Sequence, residues 1–151
     1  MSLKKLSIIF SIALLVFVSS INITSAIEIS APSSNNNEFV KTLDFLDNNM
    51  YILIKTLSAE NVNTDEANKQ IKFLNSLISE LNKKSSQLPK EQRDVSAALR
   101  AISSFYELAI IKSENYLESK DSDDLISAIS TFSIGYSSSI NLRSIVFGAG
   151  K

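Results

Sequence analysis

Three glutamates lie in one long amphipathic stretch at a spacing that could support acid–base catalysis. Glu107, Glu114 and Glu118 follow one another there, and the last two are four residues apart. Side chains at that spacing share a helix face, and two carboxylates buried together can act as a general acid and a general base. The competing interpretation is a solvated helix face with Arg100 and Lys112 nearby, and we favour it.

Acidic residues also gather at the turn that follows this stretch: Glu118, Asp121, Asp123 and Asp124. Oxygen ligands this close together are of the kind that binds Ca²⁺. The segment lacks the glycine and the distal glutamate of an EF-hand loop, and aspartates at a helix start stabilise the helix without a metal. We therefore predict no metal and no cofactor.

The strongest exclusions come from residues that the chain lacks, since it contains no His and no Cys. Ser-His-Asp and Cys-His nucleophile systems are excluded, as are transition-metal sites of the usual ligand types. With only three glycines, the chain has no glycine-rich phosphate loop. The sequence predicts a protein that is not an enzyme.

Tyrosines suggest a binding function. Four of them fall on or beside the predicted inward helix faces: Tyr51, Tyr106, Tyr116 and Tyr136. A buried tyrosine hydroxyl needs a hydrogen-bond partner, and Ser113 and Ser133 are the candidates. One interpretation is a pocket for an apolar small molecule or lipid, lined by these tyrosines. The other, which we favour, is an ordinary core.

The last predicted helix is rich in serine and carries apolar residues beyond a single stripe. Those near its end form a candidate interface: Leu142, Ile145, Val146 and Phe147. An apolar surface of this kind suits an oligomer contact, although packing under the N-terminal segment explains it equally well. A basic group also lies near the turn between the second and third helices: Lys83, Lys84, Lys90, Arg93 and Arg100. It can orient a partner, or be an ordinary charged rim.

The elements that position these residues are predicted from apolar spacing. In three stretches the apolar residues step alternately by three and four, which is typical of helices that pack side by side. The first covers residues 38–58, with the seam Phe39, Leu43, Leu46, Met50, Leu53 and Leu57. The second begins at a capping Asn63 and ends near residues 83–86, with the seam Ala67, Ile71, Leu74, Ile78 and Leu81.

The third predicted helix opens at Pro89 and ends by Ser119, with the seam Val95, Leu99, Ile102, Tyr106, Ala109, Ser113 and Tyr116. The residues expected to broaden its inward face are Ala98, Phe105, Leu108 and Ile111. The fourth begins after Asp121, and its expected apolar face is Leu125, Ile126, Ile129, Phe132, Ser133, Tyr136 and Ile140. Four helices with short connections predict an all-α fold, an up-down-up-down antiparallel four-helix bundle. Two helical pairs that associate across a dimer are the alternative.

The N-terminal segment predicts export. Lys4 and Lys5 precede an apolar run over residues 6–18, and small residues lead to Ala26. This order is typical of a secretory signal peptide cleaved near Ala26, and the run is short for a membrane span. An uncleaved anchor is the alternative. We predict a signal peptide over 1–26, a flexible linker over 27–37, the bundle over 38–147 and a tail over 148–151.

Cleavage leaves 125 residues with 13 basic and 16 acidic side chains, a net charge of −3. That balance argues against nucleic acid as a partner, and no second apolar stretch is long enough for a transmembrane segment. The sequence therefore predicts a secreted or periplasmic, non-enzymatic helical-bundle protein that binds a protein partner or a second copy of itself. The alternative is a carrier or sensor for an apolar ligand.

Overall fold

The computed structural model describes residues 34–146 and 148, and it places four α-helices there: α1 Ser34–Leu57, α2 Thr64–Ser86, α3 Arg93–Ser119 and α4 Ser122–Ile145. A 3₁₀ turn, Lys90–Gln92, leads into α3. No strand occurs among these residues, which confirms the all-α prediction. Within the same residues, no helix is both long enough and apolar enough to span a bilayer. The predicted signal peptide, most of the predicted linker and Phe147 lie outside this part of the chain.

Helix α1 buries the seam that its sequence predicts. All six apolar seam residues, from Phe39 to Leu57, lie in the core. Burying each large apolar side chain contributes about 1.5–3 kcal/mol, so this face accounts for the position of the helix. The helix begins at Ser34 rather than near residue 38.

Helix α2 also follows its prediction. Asn63 is the N-cap, and its side-chain oxygen accepts a hydrogen bond from the backbone N–H of Glu66 at 3.1 Å. Every residue of the predicted seam is buried, from Ala67 to Leu81. The helix ends at Ser86 with Lys83 and Lys84 in its last turn, where cations suit the negative end of the helix dipole.

Helix α3 buries the centre of its predicted seam, while the residues that widen this stripe differ from our expectation. Leu99, Ile102 and Tyr106 are fully buried. We expected Leu108 and Ile111 to lie inward too, and that was wrong, because both are exposed. Residues on the other side of the seam take their place in the core: Ser96, Ser103, Ile110 and Leu117.

The connection from α3 to α4 is two residues long. Lys120 caps α3 in the left-handed conformation (φ 59°), and its N–H donates to the Tyr116 carbonyl oxygen at 2.8 Å. Asp121 then caps α4 by accepting from the Asp123 N–H at 2.9 Å. The predicted start of the last helix is confirmed, and so is the capping use of its first aspartate.

Helix α4 buries a different face from the one predicted. Its buried residues are Ala128, Phe132, Gly135, Ser139 and Leu142. Of the expected face only Phe132 is buried, whereas Ile126, Tyr136 and Ile140 are exposed. Counting 100° per residue, the true inward face lies about 90–100° from the predicted one. The reason is that α4 carries apolar residues on all of its sides, so apolar spacing alone does not identify the side that is buried.

The four helices share one core, and two ion pairs link them in pairs. The pair α3 and α4 has the most extensive contact, while α1 contacts α2 more than it contacts α4. Near its end α2 places Lys84 2.7 Å from Glu38 at the start of α1. Near its end α3 places Lys112 2.9 Å from Asp124 in the first turn of α4.

Candidate functional site

A buried carboxylate is the most unusual polar feature of the described residues. Asp47 is only 2% exposed, although it lies on α1 between Leu43 and Met50, both of which are in the core. It is four residues after the first and three before the second, so helix geometry places it at the edge of the apolar seam. A charged group in that position requires partners, and α3 and α4 supply them.

Each oxygen of this carboxylate accepts hydrogen bonds. The Tyr106 hydroxyl on α3 donates to Oδ1 at 2.5 Å, and the Ser139 hydroxyl on α4 donates to Oδ2 at 2.9 Å. Arg143, one helical turn after Ser139, donates from Nη2 to Oδ2 at 2.5 Å and from Nη1 to Asp44 Oδ1 at 2.9 Å. We call Asp44, Asp47, Tyr106, Ser139 and Arg143 the Asp47 cluster.

The cluster joins three helices at one level of the fold. Asp44 and Asp47 come from α1, Tyr106 from α3, and Ser139 and Arg143 from α4. The Arg143 side chain is itself mostly buried, and its Nε has no hydrogen-bond partner. Charge-assisted hydrogen bonds of this kind are about twice as strong as neutral ones, but both charges are removed from water to form them.

A glycine makes room for the tyrosine of this cluster. A Cβ atom added at Gly135 of α4 would lie 2.6 Å from Tyr106 Cε1 and 2.8 Å from its Cδ1. The Tyr106 ring also stacks on Phe132 with ring centroids 6.2 Å apart, and Phe132 contacts Tyr136 at 5.7 Å. The hydroxyl is thereby directed at Asp47 by the shape of α4.

Burial raises the pKa of two groups in the cluster, Asp47 and Tyr106. Removal from water raises the pKa of the Asp47 carboxyl above its usual value, against the hydrogen bonds from Tyr106 and Ser139 and the charge of Arg143, which lower it. The negative charge of Asp44 adds to the increase. Burial also raises the pKa of the Tyr106 hydroxyl, and the adjacent Asp47 charge raises it further.

This arrangement suits a structural role better than acid–base chemistry. Both oxygens of Asp47 already accept from protein donors, so neither is directed at a space where a substrate atom would react. A general base must reach the proton that it removes. The cluster instead fixes three helices relative to one another.

The tyrosines singled out from the sequence do not form one pocket. Tyr106 and Tyr136 lie at two ends of the row that passes through Phe132. Tyr51 is 57% exposed, and Tyr116 is half-buried with the Lys120 ammonium 5.6 Å from its ring centroid. In the described part of the chain, Tyr51 and Tyr116 contact no other aromatic ring.

The hydroxyl partners expected for these tyrosines were wrong. Ser113 donates to the Ala109 carbonyl oxygen and Ser133 to that of Ile129, each within its own helix. Tyr106 uses Asp47 instead. The signal in the sequence that could have identified Asp47 is its position, four residues after Leu43 and three before Met50 of the apolar seam.

Three of the acidic residues considered for catalysis or metal binding have partners within the protein. Glu107 accepts from Asn82 Nδ2 at 3.2 Å, Asp121 caps α4, and Asp124 pairs with Lys112. Among the described residues, no three carboxylates are grouped as a metal ion would require. In the basic group, Lys84 is paired with both Glu38 and Glu80 at 2.7 Å.

The candidate interface residues differ in their exposure to solvent. Leu142 is buried and Val146 packs partly against the core, whereas Ile145 is 63% exposed. A larger exposed apolar set runs along α4, and we call it the α4 outer surface: Ile126, Ile134, Ile140 and Ile145. No charged residue occurs between Asp124 and Arg143, a stretch that contains the first three of these isoleucines and six serines.

Comparison with known proteins gives no relative: no family model, no curated protein and no solved structure matches this chain significantly.

Proposed function

We propose that this chain is an exported, non-enzymatic helical protein that binds a protein partner through the α4 outer surface. The observation that carries the proposal is the charge-free stretch between Asp124 and Arg143, within which α4 exposes Ile126, Ile134 and Ile140. The centres of protein interfaces are depleted in charge, and exposed apolar patches rimmed by polar residues are typical of binding sites. Exposed apolar side chains on α3, such as Leu108, lie instead among charged neighbours.

The proposed architecture is an up-down-up-down antiparallel bundle. The ion pairs Lys84–Glu38 and Lys112–Asp124 support it, because each joins the end of one helix to the start of its neighbour. The proposed location is the periplasm or the exterior, reached through a signal peptide over residues 1–26. Lys4, Lys5 and the apolar run over residues 6–18 support this export. N-terminal sequencing of the protein recovered outside the cytoplasm should begin at Ile27, and a start at Met1 would refute cleavage.

A photo-crosslinking amino acid tests the binding function. Placed at Ile134 of the full chain in its own host, it should yield one discrete crosslinked protein species, whether a partner or a second copy. The matched control places the same amino acid at Leu108, which is exposed to a similar degree on α3, and it should give none. Equal crosslinking at both positions, or none at either, would refute the α4 outer surface as the binding site.

The alternative function is a carrier for an apolar small molecule or lipid. The row of Tyr106, Phe132 and Tyr136 would have to supply its contacts, and Tyr106 already donates to Asp47. We therefore rank it second. Native mass spectrometry of the protein purified without detergent decides it, because a carrier retains a discrete bound mass and an interaction protein does not.

A further inference from the structure

Helix α4 can bury either of two faces, as judged by apolar area alone. The face that it does bury includes Gly135 and Ser139, which contribute little apolar surface. The face turned by about 100° carries Ile126 and Ile140, which are left in water. Since burial of apolar area favours the isoleucines, some other interaction must select the observed orientation.

The polar contacts of α4 supply that selection. Ser139 and Arg143 both reach Asp47, which is fixed on α1 by the buried residues on either side of it. If α4 rotated about its own axis by about 100°, Ser139 and Arg143 would both move away from Asp47. The carboxylate would then keep only the hydrogen bond from the Tyr106 hydroxyl. A buried charge that loses its partners is far costlier than an exposed isoleucine.

Gly135 acts in the same direction. The Tyr106 ring occupies the place where any side chain at this position would lie. A turned α4 would bring a larger residue against that ring, which is held by its hydrogen bond to Asp47. Shape and charge therefore favour the same orientation.

We propose that the Asp47 cluster is an orientation selector: it determines which face α4 buries, and hence which face α4 presents at the surface. The packing of α4 within one chain is enough for this selection, and no partner is required. Buried ion pairs are best attested in this role of fixing register between helices. Removing the pair should leave the helices intact and make the orientation of α4 ambiguous.

Cysteine labelling measures the orientation directly, because the chain has no native cysteine. Ser133→Cys and Ala128→Cys are small changes on the exposed and buried sides of α4 respectively. With the cluster intact, the cysteine at position 133 should react more than about tenfold faster than that at position 128, since reaction at a buried site requires local opening. In the turned orientation position 133 lies inward and position 128 moves to the edge.

The decisive experiment repeats this labelling in a protein that also carries Asp47→Leu and Arg143→Met. This pair of substitutions removes both charges together and leaves neither unpaired. The ratio of labelling rates should fall to about one or invert while the circular dichroism of the helices persists. An unchanged ratio would overturn the proposal, because apolar packing would then suffice to orient α4.

Met50→Leu is the matched control, a volume-conserving change at a fully buried position of the same helix α1. It should leave the ratio unchanged, and a similar fall there would overturn the proposal by showing general loosening. If the double variant loses its helicity, Asp47→Asn with the same two cysteines decides the question. This variant keeps an acceptor for Tyr106 and removes the charge, so an unchanged ratio in it overturns the proposal equally.

Discussion

Removal of the Tyr106 hydroxyl should destabilise the fold without altering its shape. Tyr106→Phe keeps the ring, and therefore the contact with Phe132 and the fit against Gly135. It removes one hydrogen bond, the 2.5 Å donation to a buried carboxylate. Hydrogen bonds to charged groups contribute about 1.5–3 kcal/mol. Asp47 keeps its bonds from Ser139 and Arg143, so we expect a loss of about 2 kcal/mol in the free energy of unfolding.

Urea and thermal unfolding followed by circular dichroism measure this loss. An unfolding entropy of about 2.1 cal/mol/K per residue gives about 0.24 kcal/mol/K for a helical domain of this size, so the expected fall in Tm is about 8 °C. Tyr136→Phe is the matched control, because Tyr136 belongs to the same aromatic row and is 40% exposed. Its effect should stay within about 0.5 kcal/mol.

A second measurement separates the hydrogen bond from general packing. The Tyr106 hydroxyl lowers the pKa of Asp47 in the native protein, so its removal should raise that pKa further. Carbon-detected NMR of the Asp47 carboxyl reports the change. If Tyr106→Phe costs no more than Tyr136→Phe and leaves the titration of Asp47 unmoved, the hydrogen bond does not stabilise the fold and the reasoning is wrong.

Three further predictions concern the same cluster. Gly135→Ala should destabilise by about 1–2 kcal/mol in urea unfolding, because the clash with Tyr106 exceeds the gain of about 1 kcal/mol in helix propensity; a net stabilisation would contradict the fit. Burial raises the native pKa of Asp47 above the ordinary aspartate value of 3.8, so the native state binds this proton more tightly than the unfolded state does. The stability of the wild type should therefore fall relative to Asp47→Asn as pH rises from about 3.8 through the native pKa, and a relative gain would reverse the assigned direction. The pKa of the Tyr106 hydroxyl is raised by burial and by the Asp47 charge, so the phenolate absorbance at 295 nm that Tyr106→Phe removes should appear only on alkaline unfolding; its appearance before unfolding would show that the hydroxyl is accessible.

The first three helices were predictable because each carries an apolar seam that steps by three and four residues. In α1 and α2 every seam residue is buried. Asn63 and Asp121 were equally predictable as caps, since a capping side chain acts within a few residues of itself. These features depend on local sequence alone.

The orientation of α4 and the Asp47 cluster were not predictable in the same way. Apolar residues surround α4, and the residues that decide its orientation, Gly135 and Ser139, carry little or no apolar surface. Their effect depends on Tyr106 and Asp47, which are distant in sequence. Apolar spacing within one helix contains no information about partners on other helices. The buried face was therefore mispredicted for α4, whose orientation depends on contacts with Tyr106 and Asp47.

The two-residue connection between α3 and α4 has a consequence for the order of folding. Closing a short loop costs little chain entropy, and this connection joins the two helices with the most extensive mutual contact. Local pairs of this kind form early, so α3 and α4 should be structured in the folding transition state, while α1 should dock later.

Synthesis runs from the N-terminus, so the α3–α4 pair can form only after Ile145 has been made. The partners of Asp47, which are Tyr106, Ser139 and Arg143, all lie on that pair. The Asp47 carboxylate should therefore leave water only in the step in which α1 docks onto α3 and α4.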